Sequence, residues 1–344
     1  MKVLLAVSGG IDSMYMLHRA PELFPGASFA VAHCNFSLRG AESDGDEAFV
    51  RSECARLGIE CLVRRFDTAV YAEGHGVSIE MAARELRYRW FKELCEKGGF
   101  DALATAHNAN DNAETMILNL LRGTGTKGLR GIPGGFTGDS LSREPSSHHP
   151  SGVVPPLQPR AAILPGETVP GEAIMLLRPL LGTGRDDIRR WMKAHGHSWR
   201  EDSTNKENDA RRNKIRNQVF PVFKEINPSF IKTLGEDMAR IRQTDDIAED
   251  YFRQAYGAIV KQKDNTLEIS VVPLIGLKHW RYVLWRILEG CSFSSETFSK
   301  LCALLERYSS EPRGTVTLSG KTFQSPTYNL KGRRKLLVLA KREQ

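Results

Sequence analysis

One stretch near the start of the chain holds the residue types that chemistry on a phosphate needs. Ser8-Gly9-Gly10-Ile11-Asp12-Ser13 sets two hydroxyls, two glycines and a carboxylate side by side. Glycines let the backbone turn sharply and let a ligand approach with no Cβ in the way, so successive N–H groups can face an anion. Ser8 and Ser13 add donors, and Asp12 can hold a metal ion or a cationic group. Read blandly, Ser-Gly-Gly is only a turn and Asp12 a charge near a helix start. The context argues for the cradle, because an apolar run, Lys2 to Val7, precedes it and a segment with helical apolar spacing, Met14 to Ala20, follows it.

The elements that must position this loop alternate. Ser28 to His33 reads as a second strand, ending in His33-Cys34-Asn35-Phe36-Ser37-Leu38-Arg39-Gly40. An acidic helix is expected from Glu42 to Leu57, a strand over Glu60 to Arg65, and a long helix over Ser78 to Glu96. A strand over Asp101 to Ala106 and a helix over Asn110 to Arg122 follow. Such alternation predicts an α/β fold with a doubly wound, mainly parallel sheet. Ligands of such sheets sit at the carboxyl ends of the strands, which places Ser8 to Ser13, His33 to Arg39 and Ala106 to Glu114 on one crevice.

Residues 133–173 break the pattern with Gly134-Gly135, Pro155-Pro156 and half of the chain's 16 prolines, and read as an insertion. Beyond it, a strand over Ile174 to Leu177 leads through Arg178-Pro179-Leu180-Leu181 to an amphipathic helix, Arg185 to His195. The loop Trp199 to Asn205 precedes a helix opened by Arg211-Arg212-Asn213. The expected boundary lies near Pro221, giving a nucleotide domain over 1–220 and a smaller helical domain over 221–344. In that second part, helices are expected over Pro228 to Lys261, Lys278 to Glu289 and Ser295 to Tyr308. A terminal β-structure is expected from Val316 to Leu318, near Phe323 and over Lys335 to Ala340.

Composition narrows the class. With 41% hydrophobic and 26% charged residues the chain reads as an ordinary soluble globular protein, and no apolar run nears the roughly 20 residues that cross a bilayer. Nothing at the start reads as a signal peptide, so a cytoplasmic protein with no membrane partner is expected. The net charge of +7 is uneven: residues 1–132 carry 15 Lys/Arg against 17 Asp/Glu, and the remainder 33 against 24. A basic second part suits a polyanionic partner, although a solvated basic surface has the same composition. Six scattered cysteines with no C-x-x-C pair read as reduced thiols.

Four motifs are decoys. Gly123-Thr124-Gly125-Thr126-Lys127-Gly128 fits a dinucleotide fingerprint but follows a helix. Gly314 to Thr322 spaces its glycines wrongly for a Walker loop. His195-x-His197 and His148-His149 lack further ligands nearby.

The full SGGIDS stretch resembles the PP-loop of the ATP pyrophosphatase superfamily, whose members split ATP between its α- and β-phosphates. Four further stretches raise the match. They are Glu80 to Tyr88, Ala106-His107-Asn108-Ala109-Asn110-Asp111-Asn112-Ala113-Glu114-Thr115 leading to Leu121-Arg122-Gly123, Arg178-Pro179-Leu180-Leu181, and Trp199 to Asn205 followed by Arg212-Asn213-x-Ile215-Arg216. In this order the chain is similar to the tRNA(Ile)-lysidine synthetase family over most of residues 1–230, with the insertion excluded.

That resemblance implies a two-step ligation on the CAU anticodon of tRNA(Ile), with ATP and free L-lysine as substrates, Mg²⁺ as metal and Asp12 as its contact. Adenylation builds charge on phosphate oxygens, for which Arg87, Arg122 and Arg212 are the guanidinium candidates. Arg84 and Arg87 also fit an ordinary salt-bridged helix face. Asp111 and Glu114, three apart on one helix face with His107 just before them, are the candidates for receiving the lysine amine. The plainer reading of Asp111 and Glu114 is a capping charge at the helix N-terminus. A C-terminal tRNA-binding domain and a homodimer complete the expectation. The family usually has a histidine where Phe36 stands here, and often another where Asn108 stands. A tRNA cytidine 2-thiolation enzyme on the same fold and an ATP-responsive RNA-binding protein are the alternatives.

Overall fold

The computed structural model describes residues 1–133, 175–201, 210–311 and 316–342. The chain forms two compact units, the first reaching Gln243 and the second starting at Thr244. The insertion beyond Pro133, the segment Asp202-Ser203-Thr204-Asn205, His148-His149 and Gly314 lie outside the described residues.

The first unit opens with β1 (Lys2–Ala6), α1 (Ile11–His18), α2 (Ala20–Leu23), β2 (Ser28–Asn35), α3 (Ala41–Leu57), β3 (Glu60–Arg65), α4 (Thr68–His75) and α5 (Ile79–Gly98). It continues with β4 (Ala102–Ala104), α6 (Ala109–Arg122), α7 (Thr126–Leu129), β5 (Met175–Leu177), α8 (Arg185–Ala194) and α9 (Ala210–Lys214). A π-helical turn (Ile215–Val219) and α10 (Phe220–Ile226) follow, and α11 (Phe230–Ile259) starts in this unit and ends in the second. The five strands pair in parallel in the order β3-β2-β1-β4-β5, the doubly wound arrangement that the alternation predicts.

Alternation along β1 explains why both faces are covered. Val3 and Leu5 point into one core with Met14 and Leu17 of α1 and Ile188 and Met192 of α8. Leu4 points into the other, with Trp90, Phe91 and Cys95 of α5. All three β1 side chains are fully buried, which fixes the register, since a one-residue slip would exchange the two faces. Because the strand order reverses between β1 and β4, their carboxyl ends leave a crevice between them.

The first unit runs past Pro221 because Phe220 and Phe230 close a cluster with Ala113 and Leu118 of α6, and Phe223 packs on it. Residues 221–243 thus take their core from the nucleotide fold. No helix among the described residues is long and apolar enough to cross a membrane.

The second unit holds β6 (Val260–Lys263), β7 (Thr266–Ser270), α12 (Val271–Ile275), α13 (Trp280–Leu288), α14 (Ser295–Ser310), β8 (Thr322–Gln324), β9 (Tyr328–Arg333) and β10 (Leu336–Lys341). Its antiparallel sheet runs β6-β7-β10-β9-β8. Two expectations change here. Helix α11 stops at Ile259 rather than Lys261, and the chain turns through Asp264, whose φ of +50° suits a tight hairpin, into β7. Val316 to Leu318 is not a strand: Leu318 is buried in the core while its carbonyl lies against Gly332, where a Cβ would stand 2.0 Å from the oxygen.

Candidate functional site

The β1–β4 crevice opens into a cleft of about 840 Å³. Its floor is the turn after β1. Val7 N–H still donates to Ala32 in β2 (3.1 Å), and then Gly9 takes φ +94°, a conformation a side chain would strain. Ser13 Oγ gathers the turn, accepting from Ser8 N and Gly9 N (3.2 Å each) and donating to the Gly10 carbonyl (2.8 Å). The loop amides therefore close on Ser13 instead of standing open as the sequence suggests. What stays open is the N-terminus of α1, whose N-cap Gly10 offers no side chain to its first-turn N–H groups.

The opposite wall follows β4. Thr105 Oγ1 lies 3.1 Å from His107 Nδ1. Asn108 caps α6 by accepting from Asn110 N (2.9 Å) and Asp111 N (3.0 Å), and Asp111 Oδ2 accepts from Asn108 N (3.1 Å) in return. The capping role foreseen for Asp111 is therefore real, but it uses one oxygen only. The other, Oδ1, takes Arg185 Nη2 at 3.2 Å, with Arg216 Nη2 at 3.8 Å. Arg185 Nη2 also stands 3.8 Å from Asp12 Oδ2, so one guanidinium joins the ends of the two central strands.

Asp12 Oδ1 and Asn108 Nδ2 are buried and make no hydrogen bond of good geometry among the described residues, although the Asn108 side chain lies close enough to act on Asp12 as a weak donor. Burial raises the Asp12 pKa above the usual carboxylate range; Arg185 opposes this and the Asp111 carboxylate adds to it. Burial also drives His107 down to about 4, against Asp111 and helped by Arg178, Arg212 and Arg87, so its imidazole is neutral at pH 7. His33, buried with Nδ1 2.9 Å from the Val7 carbonyl, is lowered by the same cause.

The third side of the cleft holds Phe36. Phe36 carries the Arg87 guanidinium 5.1 Å from its ring centroid, a cation–π seat that aims Arg87 into the cleft. Asn108 is the α6 cap just described.

Of the residues singled out in the sequence, Ser8, Gly10, Ile11, Asp12, Ser13, Arg87, His107 and Asp111 line the cleft, with Gly9 forming the turn beneath. Glu114 does not. It is fully buried and binds Arg216 through both oxygens, Oε1 to Nε at 2.8 Å and Oε2 to Nη2 at 3.1 Å. Arg122 does not either: it is exposed at the far end of α6, eleven residues beyond Asp111, or about 16 Å along the axis. Arg212 lies outside the lining, though its charge is felt at His107.

Sequence reasoning missed Arg185, Arg200 and Arg216, which the cleft takes in. Arg200 and Arg216 sit inside stretches already singled out, one residue after Trp199 and four after Arg212. Arg185 opens α8 and carries no local signal of its role. No group of three or more His, Cys, Asp or Glu able to hold a metal occurs among the described residues. A site for Mg²⁺ would have to combine one or two carboxylates with ligand phosphates, as that ion commonly does, and Asp12 Oδ1, which lacks a hydrogen bond of good geometry, fits.

Comparison with known proteins gives three results. A family model described as a PP-loop domain matches residues 1–223. The chain is 34% identical over 317 residues to the tRNA(Ile)-lysidine synthase of Chlorobaculum tepidum, covering 88% of this chain and 83% of that protein. It is similarly 34% identical to the tRNA(Ile)-lysidine synthase of Parabacteroides distasonis over 95% of this chain, and 40% identical to that of Bacteroides thetaiotaomicron over 68% of it. The chain spans 63% and 46% of those two longer relatives. Among solved structures it resembles the U34-tRNA thiolase NcsA from Methanococcus maripaludis with its [4Fe-4S] cluster. The TM-score is 0.50 at 18% identity, over 70% of this chain and 72% of that one, a likeness of fold.

Proposed function

The chain belongs to the tRNA(Ile)-lysidine synthase family, and we propose that it joins free L-lysine to the wobble cytidine of the CAU anticodon of tRNA(Ile). The cytidine O2 attacks the α-phosphorus of ATP and pyrophosphate leaves. The lysine ε-amine then attacks C2, AMP leaves, and the product reads A instead of G. The observation that carries this reading is the pairing at the β1–β4 switch point of an uncapped helix N-terminus with two carboxylates and a ring of guanidinium groups.

The PP-loop residues Ser8 to Ser13 hold the triphosphate, with the α1 N-terminus toward it. Mg²⁺, held by Asp12 and the phosphates, would offset the charge that builds on the phosphate oxygens. Arg87 faces the same charge from its seat on Phe36. Asp111 Oδ1 receives the lysine ammonium where Arg185 Nη2 now stands. Glu114 acts through Arg216, which it anchors beside that oxygen. An ε-amine of pKa about 10.4 costs about 4.6 kcal/mol to deprotonate at pH 7. Asp111, by binding the charged amine, raises that cost, and the surrounding guanidinium charges act against it.

RNA binding falls to the second unit. Residues 316–342 carry seven Lys/Arg and no Asp/Glu. The helical cations of this unit are neutralised locally, Arg286 by Glu249 and Glu289, Lys300 by Glu296 and Arg307 by Glu311. The terminal strands thus present the excess charge that phosphates favour. Thiolation finds less support, because burial holds the cleft's cysteine, Cys34, protonated by raising its pKa to about 12.

The test is incubation with tRNA(Ile), ATP, Mg²⁺ and labelled lysine. Label entering the tRNA with release of AMP and pyrophosphate is expected. Unlabelled tRNA, from folded protein that binds ATP, would refute the assignment.

A further inference from the structure

Arg200 is tied down more firmly than a surface arginine needs to be. Its backbone N–H donates to the Gly9 carbonyl at 3.0 Å, fastening it to the phosphate loop itself. Its Nε donates to Asp46 Oδ1 at 2.9 Å, while Asp46 Oδ2 is taken by Arg39 Nη2 at 2.8 Å. The Asp46 carboxylate is thereby shared between two guanidinium groups and has no freedom to swing. Packing completes the seat. A Cβ at Gly9 would lie 3.9 Å from Arg200 Cγ, and a Cβ at Gly45 would lie 3.1 Å from Arg200 Nη2, so the side chain runs from the loop to the first turns of α3 where the backbone is bare. Arg200 lines the cleft, and among the described residues the only acceptor of its guanidinium is Asp46, on Nε. With Nε held by Asp46 and Nη2 against the bare backbone at Gly45, the guanidinium is fixed in one orientation while its Nη hydrogens have no acceptor among the described residues, which leaves them for a phosphate.

We propose that Arg200 binds the pyrophosphate half of ATP, and that Asp46 is the positioning residue that orients it. This rests on the reading of the cleft as an ATP site. Arg185 and Arg216 are held at Asp12, Asp111 and Glu114, whereas Arg200 is bonded through its backbone to the loop that leads into the open N-terminus of α1. It therefore grips the leaving group instead of the lysine side of the reaction.

The experiment is equilibrium binding to the full chain without tRNA, with ATP, inorganic pyrophosphate and AMP as separate probes. Arg200→Ala should weaken ATP and pyrophosphate about 10- to 100-fold, the usual range for a lost charge-assisted hydrogen bond. It should leave AMP affinity unchanged. Arg200→Lys should fall between, because lysine keeps the charge and loses the fork. Asp46→Ala should weaken pyrophosphate several-fold and Asp46→Glu should recover it, a pattern that loss of folding would not give, with thermal midpoints measured alongside. Equal ATP and pyrophosphate affinity for wild type and Arg200→Ala would overturn the proposal, as would a matching loss of AMP. Should wild type bind neither ATP nor pyrophosphate, the cleft reading fails first, and visibly so.

Discussion

Asp12 and Asp111 stand at the ends of the two central strands and share one nitrogen: Arg185 Nη2 lies 3.8 Å from Asp12 Oδ2 and 3.2 Å from Asp111 Oδ1. Two carboxylates from different crossovers meet across the switch point, and a cation of the chain's own fills the place between them. On the proposed reading, a substrate ammonium or a metal entering the cleft would compete with that guanidinium.

Asp12→Asn should abolish pyrophosphate release while leaving the fold at least as stable as wild type at pH 7. The carboxyl is buried, has an oxygen without a hydrogen bond of good geometry and titrates above its unfolded value, so its ionised form opposes folding. The sign follows from linkage: a raised carboxyl pKa stabilises the fold below that pKa, and the contribution is lost as pH rises through it. Steady-state pyrophosphate assays and thermal melts of the same sample check both halves. A variant that melts well below wild type would contradict the second.

Glu114→Ala should cost about 3 kcal/mol of stability, the scale of breaking a buried ion pair and stranding its partner. Glu114 is fully buried and holds Arg216 by two bonds, and Arg216 in turn stands beside Asp111. Urea unfolding measures the loss. A change under about 0.5 kcal/mol, the range of surface substitutions, would mean that the pair contributes little.

Phe36→Leu removes the ring under Arg87 and keeps an apolar side chain. Loss of a cation–π contact of about 0.5–2 kcal/mol corresponds to an increase of roughly 2- to 30-fold in KM for ATP or tRNA. Unchanged kinetics would remove Phe36 from the site.

Stability should fall as pH drops from 6.5 toward 4. His18 and His107 both titrate near 4 in the fold, chiefly through burial. His18 stacks on His197 at 3.8 Å, with ring planes 8° apart. A depressed histidine pKa contributes stability that is complete above the unfolded value of 6.5 and disappears as pH approaches the folded one, at up to about 1.4 kcal/mol per pH unit for each histidine. Urea midpoints at pH 7 and pH 5 test this, and His18→Gln should flatten the slope.

The parts of the site that are local in sequence were legible in it. The loop and the α6 start declare themselves through glycines, an N-cap and apolar spacing within a dozen residues. Contacts made by the crossovers did not. Asp111 and Glu114 share a helix face, yet Glu114 meets Arg216 across 102 residues and turns away from the cleft. Arg122 belongs to the same motif and stands at the wrong end of the helix. Helical spacing carries on to about Lys261 in the sequence, two residues into β6, because Val260-Lys261 brings no glycine or proline to mark the change.

The central claim is that this cleft transfers adenylate to RNA, and its most direct measurement omits lysine. With ATP labelled at the α-phosphate, Mg²⁺ and tRNA(Ile), label should accumulate on the tRNA, and adding lysine should release it as AMP. If the tRNA never acquires the label while ATP is consumed, or if the terminal phosphate is released in its place, the claim is contradicted.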